Sequence, residues 1–145
     1  MRKFKFRAWD TWQKIDEDMP TAMVEETHRV MIKLNGIVYN SEYGDDQPTR
    51  YKIMQFTGLK DKNGVEIYEG DIIQIYAEQV RFDGSIQEFR SSVFFNDGSF
   101  SYTHDDGYSY PLDAVCSESG IKHEGSHFCE VIGNIYENPQ LLEQK

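Results

Sequence analysis

A chain of 145 residues that is 39 % hydrophobic and 14 % aromatic, with net charge −10, has the makings of one domain or two small lobes. That aromatic content argues against disorder, and no apolar run reaches the ~18 residues of a membrane-spanning helix. The charge is uneven. Residues 1–62 hold 11 Lys and Arg against 10 Asp and Glu, a balance of +1, whereas residues 63–145 hold 4 against 15, a balance of −11. Such acidity opposes non-specific attraction to nucleic-acid backbones and suits a basic protein partner.

The chain opens Met1-Arg2-Lys3 and then alternates. Phe4, Phe6 and Ala8 face one way, and Lys3, Lys5 and Arg7 face the other. This predicts a half-buried strand with a basic outer face. It lacks the unbroken apolar core of a secretory signal, so the expected location is cytoplasmic. Asp10 to Met19 is polar and reads as a loop. Pro20 to Glu26 is compatible with a short helix or an irregular segment. Arg29 to Leu34 and Ile37 to Tyr39 flank Asn35-Gly36, a strong hairpin signal. The polar stretch Ser41 to Arg50 then marks a candidate boundary.

Ile53 to Phe56 reads as a short strand ended by Gly58. A turn follows at Lys60 to Gly64, where Asn63 or Gly64 can take the positive φ that tight turns need. Val65 to Tyr68 is a strand, Glu69-Gly70-Asp71 breaks it, and Ile72 to Tyr76 is a strand rich in β-branched and aromatic residues. Ala77 to Ile86 predicts a loop or ragged hairpin. Glu88 to Phe95 and Ser99 to Tyr102 flank Asn96-Asp97-Gly98 as a third hairpin, with Phe94-Phe95 a candidate bulge. Tyr108 to Val115 reads as an edge strand, because Pro111 cannot donate to a ladder. Ser117 to Ser126 is loop-like, and Phe128 to Tyr136 is a final strand in which Gly133 permits a close approach. Asn138-Pro139 predicts one helical turn at the end, with Pro at its first position.

Three separated segments carry a family resemblance. They are Phe4-Lys5-Phe6-Arg7-Ala8-Trp9-Asp10; Gln55 to Gly64 with Ile67-Tyr68-Glu69-Gly70-Asp71-Ile72; and Val131 to Leu142. In this order they closely resemble the YopX family of small phage and prophage proteins. The resemblance implies a β-rich fold of phage origin and supplies no catalytic, cofactor or metal residues. Thr11 to Lys52 and Ala77 to Glu130 lie outside it.

The expected fold is mainly β. An N-terminal hairpin lobe (residues 1–50) precedes a C-terminal SH3-like or open β-barrel (residues 51–145), or the two form one compact unit. The strand Val131 to Tyr136 should pair back into the barrel, with Leu141 and Leu142 capping its end.

Chemistry-bearing clusters are few. Cys116, His123, His127 and Cys129 are zinc-type ligands, but they lack a Cys-x2-Cys knuckle. Two cysteines do not make a disulfide framework, so both are expected to be reduced and free of metal. Asp105-Asp106-Gly107 lacks the spaced oxygen ligands of a calcium loop. No catalytic residue, cofactor or metal is expected. The expected function is a non-enzymatic interaction or regulatory protein. Its partner is a host or phage protein, possibly basic, and its candidate contact residues are Asp83, Glu88, Asp105 and Asp106. Self-association is compatible with exposed strand edges. The alternatives are a nucleic-acid module using Lys3, Lys5 and Arg7, and a small hydrolase.

Overall fold

The computed structural model describes residues 4–11, 23–25, 30–32, 38–40, 45–46, 51–80, 86–116 and 128–143. Among them the protein is mainly β, with short 3-10 turns as its helical elements. The chain divides into two compact units, Met1–Phe56 and Thr57–Lys145.

In the first unit, β1 (Phe6–Asp10) pairs antiparallel with β2 (Met23–Glu25). On its other side it pairs with the opening of β6 (Tyr51–Lys60), with Ala8 opposite Ile53. The segment whose sequence suits either a helix or irregular chain thus contains a strand. β3 (Val30–Ile32), β4 (Val38–Asn40) and β5 (Asp45–Asp46) form a meander, and Ile32 opposite Val38 matches the hairpin expected around Asn35-Gly36. β1 is paired along both edges, and toward its end side chains on both faces are buried. Ala8, Trp9 and Asp10 are buried, whereas Phe4 is exposed. Arg7 is half-buried and points Nη2 at Met54 Sδ, 3.9 Å away. Lys5 Nζ lies 5.6 Å from the Phe56 ring. Lys5 and Arg7 stay partly exposed on the basic face while their side chains reach Phe56 and Met54, and Lys3 lies outside the described residues.

The second unit begins within β6. That strand does not end at Gly58, as expected, but runs on to Lys60, with Gly58 at φ +89. β7 (Glu66–Tyr68) lies beside it. The second unit contains two three-stranded antiparallel sheets. One has β8 (Asp71–Val80) between β9 (Ile86–Ser92) and β13 (Phe128–Asn134). The other has β11 (Ser99–Thr103) between β10 (Phe94–Asn96) and β12 (Ser109–Pro111). Neither sheet closes into a barrel among the described residues. One core joins them: Ile73, Ile75 and Phe89 from the first, Phe100 and Tyr102 from the second, with Ile67, Val93, Leu112 and Val115. Apolar burial of this kind contributes roughly 25 cal/mol per Å².

Most local expectations hold here. Asp97 and Gly98 both adopt positive φ in the β10–β11 turn. Pro111 ends edge strand β12 and starts a 3-10 turn, Leu112–Ala114. β13 pairs back onto β8, with a register shift between Val131 and Gly133. At Gly133 a Cβ would sit 2.5 Å from Asn138 Oδ1, so any larger residue would have to displace the Asn138 side chain. The closing 3-10 turn Pro139–Leu142 has Pro in its first turn, but it buries no residue. Leu141 is half-buried and Leu142 is exposed.

The cysteines are a second correction. Cys116 and Cys129 form a disulfide with Cα atoms 6.1 Å apart, inside the usual range. The pairing is invisible in sequence because it depends on the 3-10 turn after β12 reaching β13. It uses both thiols that a zinc site would have needed, while His123 and His127 lie outside the described residues. The bridge closes a 13-residue separation, and loss of such a closure costs about 3 kcal/mol. Thiol titration of unreduced, denatured protein should find no reactive thiol, and two after reduction; Cys116→Ser should melt well below wild type. Two titratable thiols before reduction would contradict the bridge.

Candidate functional site

The sheet pairings place Arg90 of β9 opposite Gln74 of β8. Arg90 Nε donates to Gln74 Oε1 at 2.8 Å, and its Nη1 donates to the Leu141 carbonyl at 3.3 Å. Gln74, itself buried, donates Nε2 to the Phe89 carbonyl. Ser91 Oγ accepts the Thr103 N–H at 2.9 Å and donates to the Ser92 carbonyl at 3.1 Å. This network forms part of the wall of a cleft of about 900 Å³. Glu88, His104 and Asp105 also line the cleft, and both carboxylates belong to exposed residues. The structure thus brings together two of the four candidate contact residues. Asp83 lies outside the described residues.

Asp106 has a different role. Its Oδ1 accepts the Tyr108 N–H at 2.8 Å, and its Oδ2 accepts the Tyr110 hydroxyl at 2.9 Å. The Tyr108 amide is the main reason its carboxyl stays below the usual range. Accepting from a carboxylate also favours the protonated Tyr110 hydroxyl, whose pKa is raised. The His104 N–H donates to the Tyr108 carbonyl at 2.8 Å and closes the turn. Asp106 is therefore a fastener of the β11–β12 turn, which fixes Asp105 at its tip.

His104 is held by packing. Its ring centroid lies 4.6 Å from that of Phe89 and 5.7 Å from that of Tyr110. Nδ1 accepts the Asp106 N–H at 3.2 Å and lies 3.4 Å from Asp106 Oδ1. The two contacts need opposite states of one nitrogen: without a proton Nδ1 accepts from the amide, and with one it donates to the carboxylate.

A second polar cluster serves the fold. Lys62 Nζ lies 2.8 Å from Glu130 Oε2, over the rings of Tyr76 (4.6 Å) and Phe128 (5.2 Å). Those rings stack 4.9 Å apart. The Lys62 N–H donates to the Cys129 carbonyl, so this cluster clamps the turn after β6 onto β13. Beneath it Asp61, 1 % exposed, accepts three backbone N–H groups: Asn63 and Val65 at Oδ1, and Val131 at Oδ2. Asp71 Oδ2 accepts the Tyr68 N–H, and Asn134 Oδ1 accepts those of Tyr136 and Glu137. These polar residues within the resembling segments are thus turn fasteners. Sequence reasoning missed Gln74, Arg90 and His104; only the β8–β9 register and the β11–β12 turn bring them together.

The hydrogen bond from Lys62 is the largest cause holding Glu130 below its usual 4.5. A depressed carboxylate contributes stability that is full above the unfolded value and is lost as pH falls through the lower folded value. The melting-temperature gap between wild type and Glu130→Gln should therefore be constant above about pH 5 and close in more acid solution. A gap that is the same at acid and neutral pH would contradict the clamp.

The chain matches the YopX protein family over residues 5–143. Its fold is similar to that in the crystal structure of protein EF1440 from Enterococcus faecalis, with 32 % identity, coverage of 98 % of this chain and 99 % of that one, and a TM-score of 0.52. It is similar as well to the crystal structure of protein yopX from Bacillus subtilis, with 21 % identity, the same two coverages and a TM-score of 0.56. No curated protein matches it. A family match over nearly the whole length, joined to the same β fold, shows that this chain belongs to the YopX family.

Proposed function

We propose that this chain is a non-enzymatic interaction protein of phage or prophage origin, and that it binds a basic partner protein through the cleft beside β9. One observation carries the reading. Glu88 and Asp105, seventeen positions apart in sequence, are exposed and line one cleft within the strongly acidic part of the chain. Carboxylates gathered on one surface speed encounter with a positively charged partner.

The cleft's reactive-looking groups support binding over catalysis. The Ser91 hydroxyl both donates and accepts within the wall, and His104 turns Nδ1 toward its own turn. Recognition from a turn held on a rigid sheet is a common arrangement.

The test uses a short peptide of mixed Lys and Arg as probe, with anisotropy read at low and high salt. Asp105→Lys should weaken binding about tenfold at low salt and leave melting unchanged. Asp113→Lys makes the same charge change on the Leu112–Ala114 turn and should have a much smaller effect. Equal weakening by the two variants would reduce the acidity to a general solubilising charge and overturn the reading. Tighter binding of duplex DNA than of the peptide would overturn it too.

A further inference from the structure

The turn between β6 and β7 carries an Asn-Gly step, Asn63-Gly64, and both residues are exposed. An asparagine followed by glycine is the step most prone to lose its side-chain amide, because glycine leaves its own backbone nitrogen unshielded. Here every group that the reaction needs is held. The Gly64 nitrogen, which would attack, donates its N–H to the Asp61 carbonyl at 3.0 Å. Asn63 Nδ2, which would leave, donates to Glu130 Oε1 at 3.3 Å. The Asn63 and Val65 N–H groups, on either side of the step, donate to Asp61 Oδ1 at 2.8 and 2.9 Å. The sequence therefore presents a labile step, and the fold withholds its nucleophile.

We propose that Asn63 is a latent modification site, converted to aspartate or isoaspartate when the Asp61 turn opens. In the open turn the Gly64 nitrogen gives its proton to solvent and attacks Asn63 Cγ. The new C–N bond closes a five-membered succinimide, and Nδ2 takes up a proton and leaves as ammonia. Water then opens the ring at either carbonyl. The net change is a water consumed, an ammonia released and a negative charge added. Isoaspartate also routes the backbone through Cγ and lengthens it by a carbon, so the amides of residues 63 and 65 no longer both meet Asp61 Oδ1. Either product places a carboxylate where Asn63 now donates to Glu130, beside the Lys62–Glu130 pair. Like charges so placed repel. The conversion is one-way, and its rate follows how often the turn opens. This inference stands apart from the reading of the cleft.

The experiment holds the folded protein and a free peptide of residues 60–66 in the same warm, weakly alkaline buffer. Mass spectrometry follows the gain of mass at Asn63, and chromatography separates isoaspartate from aspartate. Wild type should convert at least about tenfold more slowly than the peptide. Asp61→Ala should approach the peptide's rate. Asp61→Asn keeps an acceptor oxygen without the charge and should convert at a rate between the two. Circular dichroism checks that each variant keeps its β fold; where Asp61→Ala does not, Asp61→Asn decides. Asn63→Asp carries the charge of the product and should melt below wild type. Conversion of wild type at the peptide's rate would overturn the protection. A folded Asp61 variant as slow as wild type would overturn Asp61 as the guard. Melting of Asn63→Asp at or above wild type would overturn the damage assigned to the new carboxylate.

Discussion

The second unit depends on one buried carboxylate. Asp61 is the residue at which β6 gives way to a turn, and its two oxygens accept the amides of Asn63, Val65 and Val131. The first two close the turn locally. The third reaches 70 positions along the chain and fixes where β13 crosses the sheet. A buried acceptor left without a donor costs about 1–3 kcal/mol, and more when charged, so three donors on this one carboxylate bind local turn and distant strand into a single requirement. Lys62 and the aromatic pair Tyr76–Phe128 lie over the same junction. The Cys116–Cys129 bridge fastens β13 from the core side.

A division of labour along the chain follows. The segments that resemble the YopX family supply Asp61, Asp71, Asn134 and Gly133, which hold turns or allow close approach. The cleft comes largely from the stretch between them, Glu88 to Asp105. A scaffold fixed by turn chemistry can carry a variable recognition surface on the strands and turns between. The family match therefore explains the fold, and the proposed partner site draws on Glu88 and Asp105.

Signals written in adjacent residues are legible in the sequence itself. Asn96-Asp97-Gly98 dictates the β10–β11 turn, Pro111 an edge, and Pro139 a closing turn. Alternation says less at β1, because period two reports two faces and not which is wet; Ala8, Trp9 and Asp10 are all buried there, and Arg7 is half-buried. Glu88 and Asp105 are legible as acidic loop neighbours, but their shared cleft is not, since it depends on how β9 and the β11–β12 turn converge. Asp106 looks equivalent to Asp105 in sequence. The hydrogen bonds to Tyr108 and Tyr110 separate them. Gln74 and Arg90, sixteen positions apart, carry no signal in sequence, because their meeting is a matter of register.

The most direct measurement is residue-resolved amide hydrogen exchange at Asn63, Val65 and Val131, in wild type and in Asp61→Ala. Asn63 and Val65 lie in an exposed turn, where amides ordinarily exchange fast. If the Asp61 carboxylate joins turn to strand, all three should be protected in wild type and should lose that protection together in the variant. Fast exchange of Asn63 and Val65 in wild type, or protection unchanged by Asp61→Ala, would contradict the account.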